Sequence, residues 1–219
     1  MSRNLQLPDA PEAEVDGRMS APSALRNREV IAQALQRLAP RQGRALEIAS
    51  GTGEHVIHLA AVMPDIEWHP TDLDAQRLAS IKAWVEAEAL PNILPPQHLD
   101  AAQPGWAQRH GPFDVILIVN LLHLISDSEA GVTLNEIGQA LATGGVAFIY
   151  GPFLRDGIAT SEGDATFDAS LRAQDPLIGY KDVARVSAQL QAAGLTLTER
   201  LEMPANNLML AFTNPSAPA

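Results

Sequence analysis

The sequence predicts a doubly wound α/β fold, a seven-stranded sheet flanked by helices and parallel except for one reversed strand near the C-terminus. Three observations predict it. Apolar runs of strand length alternate with segments of helical period from residue 30 to residue 150. The run Phe113 to Leu122, F-D-V-I-L-I-V-N-L-L, is apolar on both alternating faces, as a central parallel strand buried on two sides must be. Finally, two β runs, Leu195 to Glu202 and Asn207 to Thr213, are separated only by Met203-Pro-Ala-Asn206. So short a link forces antiparallel pairing, because a parallel return needs a crossover of about a dozen residues.

The elements follow in order. Residues 1–19 combine Pro, acids and small residues with few large apolar side chains, which predicts a flexible leader, then one domain over 20–214 and a tail at 215–219. Val30, Ile31, Ala34, Leu35 and Leu38 recur at helical spacing until Pro40 and Gly43 stop the pattern ahead of the first strand, Arg44 to Ala49. Val56, Ile57, Leu59, Ala60 and Val62 carry a helix to Pro64, and Ile66 to His69 reads as a second strand ending at Thr71-Asp72. A third helix bears Leu78, Ile81 and Val85, and a short strand near Ile93 to Leu99 ends at Asp100. After the fourth strand come a helix around Ser128 to Ala142, the turn Thr143-Gly144-Gly145 and a fifth strand, Val146 to Tyr150. A long loop over 151–181 and a helix near Asp182 to Ala193 precede the terminal pair.

Composition narrows the function classes. The 219 residues are 46% hydrophobic and 19% charged, which suits a compact domain with a substantial core. A formal net charge of -11 argues against binding to nucleic-acid backbones, which requires clustered Lys and Arg. Without cysteine there is no disulfide framework, thiol nucleophile or thiolate metal site, and a reducing cytoplasm is the expected setting. No apolar run approaches the roughly 20 residues of a membrane span, and the start lacks a signal-peptide core. The expectation is a cytoplasmic protein with no membrane or nucleic-acid partner, either monomer or homodimer.

The segment Ala45 to His55, A-L-E-I-A-S-G-T-G-E-H, places an acid inside an apolar strand, then a glycine turn, then a helix. A carboxylate there is costly to desolvate unless paired, so Glu47 should face a polar or cationic ligand. Dinucleotide folds use G-x-G-x-x-G around a pyrophosphate, but here only Gly51 and Gly53 are present and the third position is Val56. Glu47 would repel a pyrophosphate and attract a sulfonium nucleoside with its amino-acid ammonium, so S-adenosylmethionine fits better than NAD.

Further polar groups lie along the same sheet edge. Asp72, about twenty residues beyond the turn, can accept from both ribose hydroxyls, or it caps the helix that follows. Asp100 can accept from an adenine amino group or simply form a turn. Asn120 stands near the C-terminal edge of the fourth strand, where open α/β sheets present their ligand crevice.

These residues resemble the class I S-adenosylmethionine-dependent methyltransferases, which are Rossmann-like. More closely, they resemble a methyltransferase-like family catalogued as a domain of unknown function, the methyltransferase-like protein 26 type. The resemblance covers roughly Ser20 to Thr213. It rests on Arg26-Asn27 ahead of the first helix, Glu47-Ile-Ala-Ser-Gly-Thr-Gly53 and Asn120-Leu-Leu-His123. It rests further on Tyr150-Gly-Pro-Phe153 with Arg155-Asp-Gly157, on Phe167-Asp-Ala-Ser-Leu-Arg172 and on Glu202-Met-Pro-Ala-Asn-Asn207. It implies that Glu47, Ser50, Gly51 and Gly53 cradle the methionine part of the cofactor, with Arg26 and Asn27 also on the cofactor. It further implies that Asp72 holds the ribose, Asp100 the adenine, and that Asn120 closes the floor. In the family pattern an aromatic and a proline follow His123, where this chain has Leu124-Ile-Ser-Asp127.

The later blocks read as an acceptor pocket. Tyr150-Gly-Pro-Phe153 leaves the fifth strand at the ligand edge and opens a long loop, and long loops in compact domains are usually functional or disordered. That loop carries Phe153, Arg155, Phe167 and Arg172, which can shape and orient a small polar molecule, and Asn206 and Asn207 could reach the same mouth. The competing roles are anchoring for the aromatics, surface pairing for the charges and turn geometry for the asparagines. His123 is the candidate general base, with a packed structural histidine as the alternative, and Tyr150 is the candidate for orienting the acceptor. His55 and His58 have no third ligand at suitable spacing, so no metal is expected. The expected function is methyl transfer to an oxygen, nitrogen or sulfur of a small molecule; a non-catalytic cofactor-binding or interaction protein is the alternative.

Overall fold

A computed structural model describes residues 5–8, 11–13 and 16–215; positions 1–4, 9–10 and 14–15 of the expected leader and 216–219 of the expected tail lie outside the described residues. A short antiparallel pair, β1 (Glu12–Ala13) and β2 (Met19–Ser20), precedes α1 (Pro22–Leu38). This helix starts well before Val30 because Pro22 stands in its first turn, where a fixed φ and a missing N–H cost nothing. Arg26 and Asn27, expected ahead of the helix, therefore lie inside it.

The alternation then proceeds through β3 (Gly43–Ile48), α2 (Glu54–Val62), β4 (Ile66–Asp72), α3 (Ala75–Glu88) and β5 (Gln97–His98). It continues through α4 (Trp106–His110), β6 (Phe113–Val119), a 3-10 turn (Leu122–Leu124), α5 (Asp127–Ala140) and β7 (Leu141–Gly151). The third strand shrinks to two residues because Pro95 and Pro96 cannot donate to a ladder; upstream only a bridge from Ile93 to Trp68 survives. The fourth ends at Val119, where Asn120 turns into the left-handed region with φ 55°.

Residues 151–181 are not the open loop expected. They form β8 (Phe153–Leu154) and α6 (Glu162–Gln174), and β8 pairs in parallel with β9 (Lys181–Asp182). Ser161 caps α6 by accepting the Asp164 N–H, and Glu162 and Asp164 in the first turn oppose the helix dipole. Only Leu171 of this helix is buried, so its apolar period is faint. The chain closes with α7 (Val183–Ala192), β10 (Thr196–Glu202) and β11 (Leu208–Thr213).

Seven of these strands form one sheet in the order β10-β11-β7-β6-β3-β4-β5. β11 pairs antiparallel with β7 on one side and β10 on the other, which makes it the one reversed strand of the expected doubly wound sheet. The link into it from β10, residues 203–207, is one residue longer than expected because β11 begins at Leu208, and it still leaves antiparallel pairing as its geometry. Contacts divide the chain into two compact units, Met1–Asp100 with Phe113–Leu117 and Ala101–Pro112 with Ile118–Ala219. Ile31, Leu35, Leu46, Leu59, Trp68 and Ile81 fill the core of the first, and Trp106, Leu134, Phe148, Leu190, Leu210 and Phe212 that of the second. No helix among the described residues is long and apolar enough to cross a membrane.

Candidate functional site

In the first unit the ends of β3 and β4 are locked together before the glycine turn begins. The Ser50 hydroxyl donates to the Glu47 carbonyl at 3.2 Å and accepts the Thr71 N–H at 3.1 Å, while the Thr71 hydroxyl donates to the same carbonyl at 2.8 Å. Ser50, expected on the cofactor, thus uses its hydroxyl to join the two strands.

The turn follows with Ala49, Gly51 and Gly53 all at positive φ (55°, 60° and 98°). At Gly53 a Cβ would stand 3.1 Å from the Ile81 Cα, so this glycine is required by its backbone conformation and by the approach of α3. The Asp72 carboxylate accepts the Gly51 N–H and the Asp74 N–H, each at 2.9 Å. Asp74, not Asp72, caps α3, accepting the Gln76 and Arg77 N–H groups at 2.8 and 3.0 Å. Asp72 is 8% exposed, and burial raises its pKa above the usual carboxylate range against the pull of the two N–H donors. The Leu99 N–H donates to the Asp72 carbonyl at 3.0 Å, which sets half-buried Asp100 beside the end of β4.

Glu47 is 1% exposed, and its Oε2 has no hydrogen-bond partner among the described residues. Burial, with a smaller push from the Asp72 carboxylate, raises its pKa to about 8. A buried acid left with an unsatisfied oxygen is a cost to the fold that a cationic or hydrogen-bonding ligand removes. This is the observation against which an adenosylmethionine site can be tested, and the residues fit: a buried acid, a left-handed glycine turn and a second acid at the next strand end.

Other expected cofactor contacts are engaged elsewhere. Arg26 is exposed on α1. The Asn27 Oδ1 lies 2.7 Å from the His55 Nε2, and since burial lowers the His55 pKa to about 4, the neutral ring donates to Asn27. His58 faces Glu29 at 3.2 Å, so the two histidines have different partners.

In the second unit, the Asn120 N–H donates to the Tyr150 carbonyl at 2.9 Å, which sets these two residues side by side at the ends of β6 and β7. Tyr150 is buried and Asn120 half-buried. His123, on the 3-10 turn, is 6% exposed, and its carbonyl accepts the Gly179 N–H at 3.1 Å. Its ring meets Phe167 and Tyr180 edge-on at centroid distances of 5.9 and 6.0 Å, and those two meet each other at 6.0 Å. Burial, aided by the Lys181 charge, lowers its pKa to about 3. The imidazole is therefore neutral near pH 7 and a poor proton acceptor, contrary to its expected role as general base.

Tyr180 of this triad, and Asp164 and Lys181 near it, are residues that sequence reasoning missed. The Tyr180 N–H donates to the Asp168 Oδ1 at 2.6 Å and its hydroxyl to the Asp164 Oδ1 at 3.3 Å; burial and the Asp164 charge push the phenol above its usual range. Lys181 is buried, donating to the carbonyls of Ile125 (2.7 Å) and Gly179 (2.9 Å) and facing Asp127 at 3.4 Å. Among local signals, Ser161-x-x-Asp164 and the Asp168-x-x-x-Arg172 spacing marked a helix here.

The polar residues expected to bind the acceptor are mostly held by the protein itself. Arg172 pairs with Asp168 at 2.9 Å and reaches the Tyr180 carbonyl at 3.3 Å. Arg155 donates to Glu202 at 2.7 Å and to the Asn206 carbonyl at 3.3 Å, leaving its Nε buried without a partner among the described residues. The Asn206 amide donates to Asp164 at 3.0 Å, and that of Asn207 closes its own turn on the Pro204 carbonyl at 3.0 Å. Phe153 is buried in β8. Of the expected acceptor residues, Phe167 is the one brought against His123.

Residues 18–214 match the sequence profile of a family described as "Protein of unknown function (DUF938)". The fold is similar to that of an O-methyltransferase family protein from Burkholderia thailandensis, with a TM-score of 0.75 at 16% identity over 90% of this chain and 58% of that one. A putative O-methyltransferase from Nostoc punctiforme gives 0.74 at 20% identity over 87% and 56%. Human N-acetylserotonin methyltransferase, solved in complex with SAM, gives 0.73 at 13% over 89% and 53%. These likenesses establish the class I methyltransferase fold. The chain spans little more than half the length of each of these proteins.

Proposed function

We propose, from the premise that the chain belongs to the family described as protein of unknown function (DUF938), that it is an S-adenosylmethionine-dependent methyltransferase acting on a small-molecule acceptor. The observation that carries this reading is the buried Glu47, whose Oε2 has no partner among the described residues, beside a left-handed glycine turn. Adenosylmethionine, when bound, supplies an electrophilic methyl group for in-line displacement by an oxygen, nitrogen or sulfur, a reaction in which orientation provides much of the acceleration. Glu47 would pair with the amino-acid ammonium, the Gly51 backbone would approach the methionine part, and Asp72 and Asp100 would accept from ribose and adenine. The neutral His123 ring can accept a hydrogen bond from the acceptor's O–H, N–H or S–H, and Phe167 and Tyr180 wall it. With this function we read the chain as a cytoplasmic protein of the methyltransferase-like protein 26 type, monomeric or homodimeric, without nucleic-acid or membrane partners.

One observation favours a second reading, a cofactor-binding protein without turnover: Arg155, Arg172, Asn206 and Asn207 each give at least one polar group to a protein partner. Incubating the protein with methyl-labelled adenosylmethionine and a panel of small hydroxyl, amine and thiol compounds separates the two. Label in a small-molecule product supports transfer; cofactor binding with no labelled product across the panel supports the second reading.

A further inference from the structure

We propose that residues 18–21 are a strap that sets the glycine turn through Thr52, with Ser80 and Glu54 as positioning residues, so that strap docking and ligand binding at the turn reinforce each other. The ligand half of this rests on the function proposed above; the strap half does not.

Two arms run from the strap to the residue between the two glycines. In one, the Met19 N–H donates to the Ser80 hydroxyl at 2.8 Å, and that hydroxyl donates to the Thr52 carbonyl at 2.8 Å. In the other, the Ser20 hydroxyl and the Ala21 N–H donate to the two oxygens of Glu54 at 2.9 and 2.8 Å, and the Thr52 hydroxyl donates to Glu54 at 2.9 Å. Thr52, Glu54 and Ser80 are all buried. A third contact closes the arrangement: the Trp84 indole donates to the Met19 carbonyl at 3.0 Å and lies under the Arg18 guanidinium, 4.5 Å from the ring centroid. The edge of that same indole stands 3.3 Å from where a Gly53 Cβ would be, so the glycine makes room for the side chain that seats the strap.

The physical consequence follows from Glu54. Its buried carboxylate is satisfied by three donors, two of them from the strap, so releasing the strap strands a buried acid against Thr52. A turn bounded by two glycines has wide backbone freedom and depends on such outside ties to stay in one conformation. On its far side it is tied by Gly51 to Asp72; on its near side Thr52 is tied to the strap. A ligand that needs the turn ordered then favours the docked strap, and by reciprocity the docked strap favours the ligand.

Hydrogen exchange on the full chain tests this, comparing wild type with Ser80→Ala and with Glu54→Gln. Ser80→Ala removes no bond made by the Ala21 or Gly53 amide, yet it should speed exchange at both, while amides of α7 keep wild-type protection. In wild type, adenosylmethionine should slow exchange at Ala21 as well as at Gly51. Ser80→Ala should bind it about fivefold or more weakly, the lower end of ordinary coupling between sites. Wild-type rates at Gly53 in both variants would overturn the strap, as would a ligand that protects Gly51 and leaves Ala21 unchanged. Wild type that shows no binding of adenosylmethionine overturns the proposed function instead, and the ligand-free rates at Ala21 and Gly53 still decide the coupling of strap and turn.

Discussion

The Asp72 carboxylate receives the Gly51 N–H at 2.9 Å, tying the end of the second core strand to the turn of the proposed cofactor site. With its other oxygen on the Asp74 N–H, Asp72 holds the turn in shape before any ligand arrives. Asp72→Asn should therefore do two things. Replacing one acceptor oxygen by an NH2 group should cost about 1–3 kcal/mol of unfolding free energy, read by denaturant titration, and weaken adenosylmethionine about tenfold or more. An undiminished affinity in a folded variant would remove Asp72 from the site.

The two glycines of the turn should respond differently to alanine. Gly53 has φ 98° and would press a Cβ to 3.1 Å from the Ile81 backbone, whereas at Gly51, with φ 60°, a Cβ would come no nearer than 4.0 Å to the Ala49 carbonyl oxygen. Gly51→Ala should cost about 1 kcal/mol from the left-handed conformation alone, and Gly53→Ala clearly more, in chemical denaturation. Equal losses would mean that the approach of α3 is not what requires Gly53.

Glu47 makes stability and binding depend on pH with a defined sign. Its folded pKa of about 8 lies above the ordinary 4.5, so its contribution is fully present below 4.5 and is lost as pH rises through about 8. Glu47→Gln, neutral throughout, should flatten that decline in thermal unfolding measured across the range. Pairing with a ligand ammonium favours the ionised acid, so adenosylmethionine binding at neutral pH should release protons. Calorimetry in buffers of different ionisation enthalpy would detect them.

His123 should leave no mark on the pH–rate profile near its ordinary 6.5, because burial holds it at about 3. The fold favours the neutral ring, so its contribution to stability is present above 6.5 and is lost as pH falls from there through about 3. His123→Phe should keep the shape of the profile and the affinity for adenosylmethionine. Loss of one positioning hydrogen bond should lower kcat by about tenfold. An inflection near 6.5 that disappears in the variant would restore the general base.

Much of the fold was legible because it depends on short-range pattern. The apolar run of β6 announces a strand buried on both faces, and the short link before β11 leaves antiparallel pairing as its only geometry. Glu47 was legible for a similar reason, being an acid in an apolar strand. The helix α6 was not, since it buries little beyond Leu171 and is held by its Ser161 cap and by Tyr180 and Asn206 binding Asp164 from distant positions. Glu54 carried no role in the sequence; that its carboxylate reaches back to Ser20 and Ala21 depends on contacts more than thirty residues apart in sequence. Asp72 was the residue whose spacing suggested a cap for α3, and only the backbone path gives that role to Asp74.

The central claim is that the Glu47 carboxyl awaits the cationic end of adenosylmethionine. Calorimetric titration of wild type and Glu47→Gln with adenosylmethionine, and of wild type with NAD, tests it most directly. The account predicts saturable binding of adenosylmethionine by wild type, weakened about tenfold or more in Glu47→Gln, and no comparable binding of NAD. Equal affinity in the two proteins, or a preference for NAD, would contradict it.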